Sequence, residues 1–467
     1  PMQRIYFDIT DIVTFARKNS RVSGIQRVQA RLVSLLAEHY GGEVIRCVYR
    51  DFLKGRCYEC SAAGLFESKE FSAEDLLSKL GLFEKRGFLG SEIRKHAKAY
   101  RRNSLVQSFR KIYLRLVAKI DPQRLIAMGV SAPRAASGLA AVERKPLRQL
   151  VVEDAIVLMG AQPLHRHMRR LVSDHRLRGG EVNQLIYDLL PHHWPAYFPS
   201  SLVCKYRLFL RQSIQVVTRY ICISENTRRD MEGYLQEHAV LRDVVSLPLA
   251  HEFAGFLRNT RDVKATTEPV ARIVESRFIL CVGTLEIRKN GVGLLKAWQQ
   301  LIHRLGDRVP QLVFAGKRGW LTEKFDSLLA CDVALANKVT ILETPTDSDL
   351  VALYQRCLFT VYPSLAEGWG LPIGEAAWFG KYCVTSITTS MPEVCGDLAD
   401  SVDPNNHEQI AAVIERAIDD DAYLVSKEEA ISKAHLRTWS DVAEKLYNVV
   451  AGNHIKTFQE KAPYAAL

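Results

Sequence analysis

Two carboxylates, Glu367 and Glu375, stand eight positions apart in the run Pro363-Ser364-Leu365-Ala366-Glu367-Gly368-Trp369-Gly370-Leu371-Pro372-Ile373-Gly374-Glu375. A carboxylate accepts hydrogen bonds in pairs, so each could grip two neighbouring hydroxyls of a sugar or a ribose. Gly368 and Gly370 remove side chains between them, which lets backbone N–H groups approach a diphosphate, and Pro372 suits a turn entering a helix. The plainer alternative is that Glu375 suits a helix N-terminus and Glu367 is a solvated loop residue. A second run, Val282-Gly283-Thr284-Leu285-Glu286-Ile287-Arg288-Lys289-Asn290, puts two cations ahead of a predicted helix. Cations there oppose the helix dipole, so a bound anion is the more economical account of Arg288 and Lys289.

Such residues need elements to place them. Strand-like runs at 4–9, 44–49, 155–159, 184–189, 220–223 and 244–247 alternate with helical patterns, the first over 24–39 with Ile25, Val28, Leu32 and Leu35 at helical spacing. A second alternating series runs through strands at 278–282, 312–315, 339–342, 359–362 and 382–385. Between the two series the chain turns polar and loses its periodicity. Alternation of this kind predicts an α/β protein with two parallel sheets, each covered by helices on both faces, and a ligand cleft between their carboxyl ends. The divisions are residues 1–255, a linker at 256–275, a second domain over 276–436, and a final helix in 437–467 crossing back to the first domain. At 467 residues, two domains are the expected number.

Composition narrows the class. The chain is 47% apolar and 25% charged, as in a soluble globular protein. No apolar run is long enough to span a bilayer, and the first residues lack the pattern of a secretory leader, so a cytoplasmic location is expected. Ten cysteines are too few for a disulfide scaffold. Cys57 and Cys60 form one C-x-x-C with no second pair or histidine at ligand spacing, so the sequence makes no case for a metal. The net charge of +11 is unevenly placed: 85–124 holds twelve Lys/Arg against Glu92 and Asp121. Within it Leu105, Phe109, Ile112, Leu116 and Ile120 recur at helical spacing among Arg110, Lys111, Arg115 and Lys119. That predicts an amphipathic helix, either docking its cations on an anionic membrane or packing its stripe on the first domain. Nucleic acid is a weaker option, since no aromatic platform accompanies the charge.

The Glu367–Glu375 run resembles the E-x7-E signature of retaining glycosyltransferase family 4, and the Gly283–Asn290 run resembles that family's G-T-x-E-x-R-K-N segment. Ile186-Tyr187-Asp188-Leu189-Leu190-Pro191-His192-His193-Trp194-Pro195 resembles its H-D-x-x-P block, Ile223-Ser224-Glu225-Asn226-Thr227-Arg228-Arg229-Asp230 its V-S-E-x-T-R-x-D block, and Ser23-Gly24-Ile25-Gln26-Arg27 its T-G-I-x-R turn. The likeness fails only over about 60–145, a helical basic insertion, and is best to bacterial polysaccharide mannosyltransferases. The resemblance implies the GT-B fold, two Rossmann-like domains facing across a cleft. It implies a metal-independent transferase without cofactor, moving a sugar with retention from a nucleotide sugar, with GDP-mannose as the expected donor, to a glycan or lipid-linked acceptor. By the same resemblance Glu375 would hold ribose, Glu367 the transferred sugar, and Lys289 with Arg288 the diphosphate. Gly24, Gly283, Thr284, Glu343, Gly368, Trp369, Gly370 and Leu371 would line the donor. Asp188 would support the reacting centre. Many relatives have His at Tyr187, so either Tyr187 replaces it or His192 or His193 reaches in. The rival function is a non-catalytic nucleotide- or glycan-binding protein on the same fold.

Overall fold

The computed structural model describes residues 3–17, 24–51, 56–66, 73–82, 113–114, 141–258 and 260–452. Arg110, Lys111, Arg115 and Lys119 lie outside the described residues, as does nearly all of the predicted amphipathic helix.

Two sheets carry the chain. The first orders its strands β4-β3-β2-β1-β5-β6-β7-β8, comprising β1 (Ile5–Asp8), β2 (Ile45–Arg50), β3 (Cys57–Ser61), β4 (Arg144–Pro146), β5 (Ala155–Leu158), β6 (Glu181–Ile186), β7 (Arg219–Cys222) and β8 (Asp243–Ser246). Apart from β3 and β4, which run antiparallel at one edge, its strands are parallel. The basic stretch is therefore inserted between two edge strands that periodicity did not reveal. Cys57 and Cys60 both lie on β3, three residues apart, and so face opposite sides of the sheet, each within a different apolar cluster.

The second sheet is wholly parallel, ordered β11-β10-β9-β12-β13-β14. Its strands are β9 (Phe278–Val282), β10 (Gln311–Ala315), β11 (Val339–Leu342), β12 (Thr360–Tyr362), β13 (Cys383–Ser386) and β14 (Asp400–Val402). Strands buried on both faces are near-continuous apolar runs, as Phe278–Val282 is throughout. The helix Gly291–Leu305 buries one stripe, Leu294, Leu295, Trp298, Leu301 and Leu305, against this sheet. Strand order reverses between β1 and β5 in the first sheet and between β9 and β12 in the second. Such reversals open a crevice beyond the carboxyl ends of the strands.

The 251–275 stretch is not wholly irregular, since it contains the short helix Glu268–Ile273. Beyond the second sheet, the helix Trp439–Val450 returns to the first lobe. There Tyr447 stacks on Tyr40 at 3.6 Å between ring centroids, and Arg219 donates to the Val449 carbonyl at 2.8 Å.

Candidate active site

The two charged runs leave neighbouring strands at the reversal of the second sheet. After β9, Gly283 takes φ +147°, a backbone conformation that strains other residues, and the chain folds into the turn Ile287–Lys289. Asn290, at φ 58°, caps the next helix through its side-chain oxygen. Its amide nitrogen donates to the Pro363 carbonyl at 3.0 Å and the Pro404 carbonyl at 2.6 Å. That residue thus ties the loop after β9 to the loop after β12.

The tie brings four charges together. Lys289 Nζ donates to Glu367 Oε1 at 2.6 Å and also contacts the Tyr362 hydroxyl, which itself donates to Glu367 Oε1 at 3.0 Å. Arg288 pairs with Glu367 Oε2, donates to Glu286 Oε1 at 2.7 Å and reaches the Ala366 carbonyl at 2.8 Å. Glu367 and Glu286 are both almost wholly buried. Burial pushes the Glu367 carboxyl up, but the Arg288 and Lys289 charges outweigh it and hold it at about 2. Burial lowers the Lys289 ammonium against the pull of Glu367 and raises the Glu286 carboxyl against that of Arg288. Two cations and two anions therefore share one buried cluster, in which Glu367 anchors the cation pair.

Asp188 joins from the other lobe, just beyond β6. Burial lifts its carboxyl to about 6, opposed by the Arg288 charge and by the Leu190 N–H that donates to it at 3.0 Å. The lobes meet here at Gly368: a Cβ on that residue would stand 2.0 Å from the Tyr187 carbonyl oxygen and 2.9 Å from the Asp188 Cβ. The absent side chain at Gly368 thus makes room for the other lobe's backbone. Gly370 is required for its own turn, with φ +106°.

Glu375 sits apart from the ion cluster, on the helix Leu371–Trp378. It accepts from the Tyr354 hydroxyl at 2.9 Å, and burial raises its carboxyl to about 7, opposed by that hydrogen bond and by Arg27 across the cleft. Arg27 belongs to the helix Gly24–Tyr40 and pairs with Asp347 of the second lobe. Gly24 opens that helix beside Leu371, whose Cδ1 would lie 3.8 Å from a Cβ there. Thr284 and Gly283 line a small cavity with Lys289, Phe314 and Tyr362. Glu343 is exposed and pairs with Arg318 at 3.1 Å.

Trp369 is 3% exposed and packs its indole in the core below Arg437, so its side chain does not line the cleft. The Tyr187 hydroxyl donates to the Met159 carbonyl at 3.0 Å, inside the first lobe. His192 packs edge-on against Tyr234 at 5.2 Å and His193 lies 3.9 Å from Asp230, so both engage the helix Glu225–Glu237. Among the described residues, no hydrogen bond or ion pair joins Tyr187, His192 or His193 to Glu367. Sequence reasoning passed over Tyr362, Glu286, Asn290 and Tyr354. The first three lay inside or beside the quoted runs, and Tyr354 had no signal of its own.

Residues 263–436 match the model of the family described as glycosyl transferases group 1. The chain is 35% identical over 172 residues to an Escherichia coli protein named O-antigen chain mannosyltransferase B, covering 37% of this chain and 45% of that one. It is 29% identical over 200 residues to the Escherichia coli serotype-specific mannosyltransferase WbdA, covering 43% and 24% respectively. The matches thus span less than half the length of these relatives. Among solved structures, Anabaena Alr3699/HepE in complex with UDP superposes with a TM-score of 0.55 at 14% identity, over 97% of this chain and all of that one. An Escherichia coli trehalose-6-phosphate protein bound with UDP-2-fluoro glucose gives 0.56 at 12% identity, over 96% and 99%. Likeness at such low identity shows the fold, which is GT-B.

Proposed function

We propose, from the match of residues 263–436 to the family described as glycosyl transferases group 1, that the chain is a retaining glycosyltransferase. It moves a sugar from a nucleotide sugar to a glycan or lipid-linked acceptor in bacterial surface polysaccharide synthesis. Residues 1–255 form the acceptor lobe and 276–436 the donor lobe. The names of the E. coli mannosyltransferases favour mannose, with GDP-mannose as donor. The observation that carries the reading is the Glu286–Arg288–Lys289–Glu367 cluster, set where β9 and β12 diverge and faced by Asp188 from the opposite lobe.

In this reading Glu375 holds the ribose hydroxyls. Glu367 holds a hydroxyl of the transferred sugar at the one acceptor site that Lys289, Tyr362 and Arg288 leave on its Oε2. Lys289 and Arg288 meet the negative charge that grows on the diphosphate as the glycosidic bond breaks, a fixed and desolvated pair that needs no reorganisation. Backbone groups of Gly283, Thr284, Gly370 and Leu371, with the N-terminus of the Gly24–Tyr40 helix, surround the phosphates. Glu343 stands beside the nucleobase. The acceptor hydroxyl attacks from the face the diphosphate leaves, and the departing phosphate oxygen takes its proton. Asp188 supports the reacting centre through Arg288.

A thermal-shift screen of nucleotides and nucleotide sugars tests the donor. A ligand at 100 times its dissociation constant adds about 2.7 kcal/mol of stability, and GDP-mannose is expected to lead. Lys289→Ala and Glu375→Ala are expected to remove most transfer while the fold persists by circular dichroism. Near-normal turnover in both variants sinks the assignment.

A further inference from the structure

Beyond Asp188 the chain makes the short helix Leu190–His193 and the turn Pro195–Tyr197. Three backbone bonds wind it tightly: Trp194 N–H to the Leu190 carbonyl at 2.8 Å, Tyr197 N–H to Trp194 at 3.0 Å, and Phe198 N–H to Pro195 at 3.1 Å. Trp194 is 37% exposed, while Tyr197 and Phe198 are partly exposed. From the opposite lobe Trp320 reaches across. Its indole N–H donates to the Tyr197 carbonyl at 2.8 Å, and its ring lies 6.2 Å from that of Phe198, tilted by 42°.

Trp320 has little freedom to be elsewhere. Its loop is pinned to the ion-cluster loop by Leu285 N–H to the Lys317 carbonyl at 2.9 Å and Gly319 N–H to the Leu285 carbonyl at 2.8 Å. A Cβ at Gly316 would stand 2.0 Å from the Gly283 carbonyl oxygen, and one at Gly319 would meet Thr284, Glu286 and Leu285 at 2.8–3.0 Å. One rigid loop therefore touches the Gly283–Glu286 stretch on one side and the aromatic turn on the other. A simple lobe-to-lobe contact accounts for Trp320 and Phe198. It does not account for Trp194, which is 37% exposed and has the His193 ring 5.7 Å away and nearly edge-on. Single exposed apolar residues are ordinary, but several aromatics gathered at the rim of a polar cleft mark a binding surface.

We propose that Trp194, Phe198 and Trp320 form a glycan subsite at the mouth of the cleft, taking pyranose rings of the acceptor chain beyond the unit that receives the sugar. This rests on the transferase reading. A pyranose presents a C–H face and a hydroxyl edge. The face stacks on aromatic rings, and the edge finds hydrogen-bond partners among polar groups such as His193. The rim is continuous in the chain with Asp188, so a glycan whose end lies at the reacting centre emerges across it.

The test compares kcat/KM for methyl α-mannoside and α-linked mannotriose, with the nucleotide sugar that gives the largest thermal shift as donor. Mannotriose binding is also followed directly by tryptophan fluorescence of the nucleotide-bound protein. The wild type is expected to favour the trisaccharide, and Trp194→Ala to lower the trisaccharide-to-monosaccharide ratio about tenfold, as loss of one stacking contact implies. Trp194→Phe, which keeps a ring, is expected to recover most of the preference. An unchanged ratio in Trp194→Ala, an equal fall with both acceptors, or a wild type that neither binds nor prefers mannotriose overturns the subsite. Failure of every nucleotide to shift the wild-type melting temperature counts instead against the transferase reading.

Discussion

Glu367 and Glu375 carry the same chemical group eight positions apart, yet their surroundings drive them in opposite directions. Glu367 is held at about 2 by two cations that overcome its burial, so it is ionised at any working pH. Glu375 is raised to about 7, chiefly by burial, with the Tyr354 hydroxyl and Arg27 opposing. Between the unfolded value near 4.5 and about 7, the unfolded chain has lost this proton and the folded chain keeps it. Stability from this group is therefore highest below that window and falls as pH rises through it, by about 3 kcal/mol at most. Urea unfolding at pH 5 and pH 8 is expected to show a smaller drop for Glu375→Gln than for the wild type. Identical drops would mean that Glu375 titrates normally. Both acids were legible in the sequence from their spacing. Their opposite ionisation was not, because it depends on what closes around each acid: the Arg288 and Lys289 charges reach Glu367 from another loop, while burial dominates at Glu375.

At the scale of elements, parallel strands and their following loops account for the site. The boundaries of β9 and β11 follow from apolar runs alone, and the Arg288–Lys289 pair is placed by the turn that links β9 to its helix. The strand expected over 184–189 lies three residues earlier than its sequence suggests. In the structure the strand starts at Glu181 and buries Asn183 and Gln184, whose amides donate to carbonyls of β5. Tyr187 and Asp188 thereby fall on the loop beyond the strand, where they face Gly368. Replacing Gly368 with Ala drives a methyl group into the Tyr187 carbonyl at a position where neither backbone can yield cheaply. The expected cost is about 1–3 kcal/mol, with the lobes forced apart. A lower melting temperature, a larger radius by small-angle scattering and reduced turnover should accompany one another. An unchanged melting temperature and turnover would show that the lobes need not meet there.

The whole molecule is two lobes with a concentrated positive charge inserted in one. Twelve Lys/Arg against two acids over 85–124 carry nearly all of the net +11, and no described helix is long and apolar enough to cross a membrane. Peripheral docking of that insertion on an anionic surface is our proposal for how the chain meets a lipid-linked acceptor. Purified protein is expected to sediment with vesicles containing phosphatidylglycerol, less so as salt rises, since screening shortens the reach of surface charge. Equal sedimentation with neutral vesicles would remove the idea. By itself the sequence determined the class of fold, the alternation of strands and helices, and the two charged runs, because hydrophobic period and turn chemistry are local properties. It could not determine which of those residues share a pocket. Asn290 bridging two loops, Gly368 pressed against the Tyr187 carbonyl, Trp369 turned into the core and Trp320 reaching the other lobe all join segments far apart in the chain. Only chain closure in three dimensions decides such contacts, and with them the charge state of each group at the site.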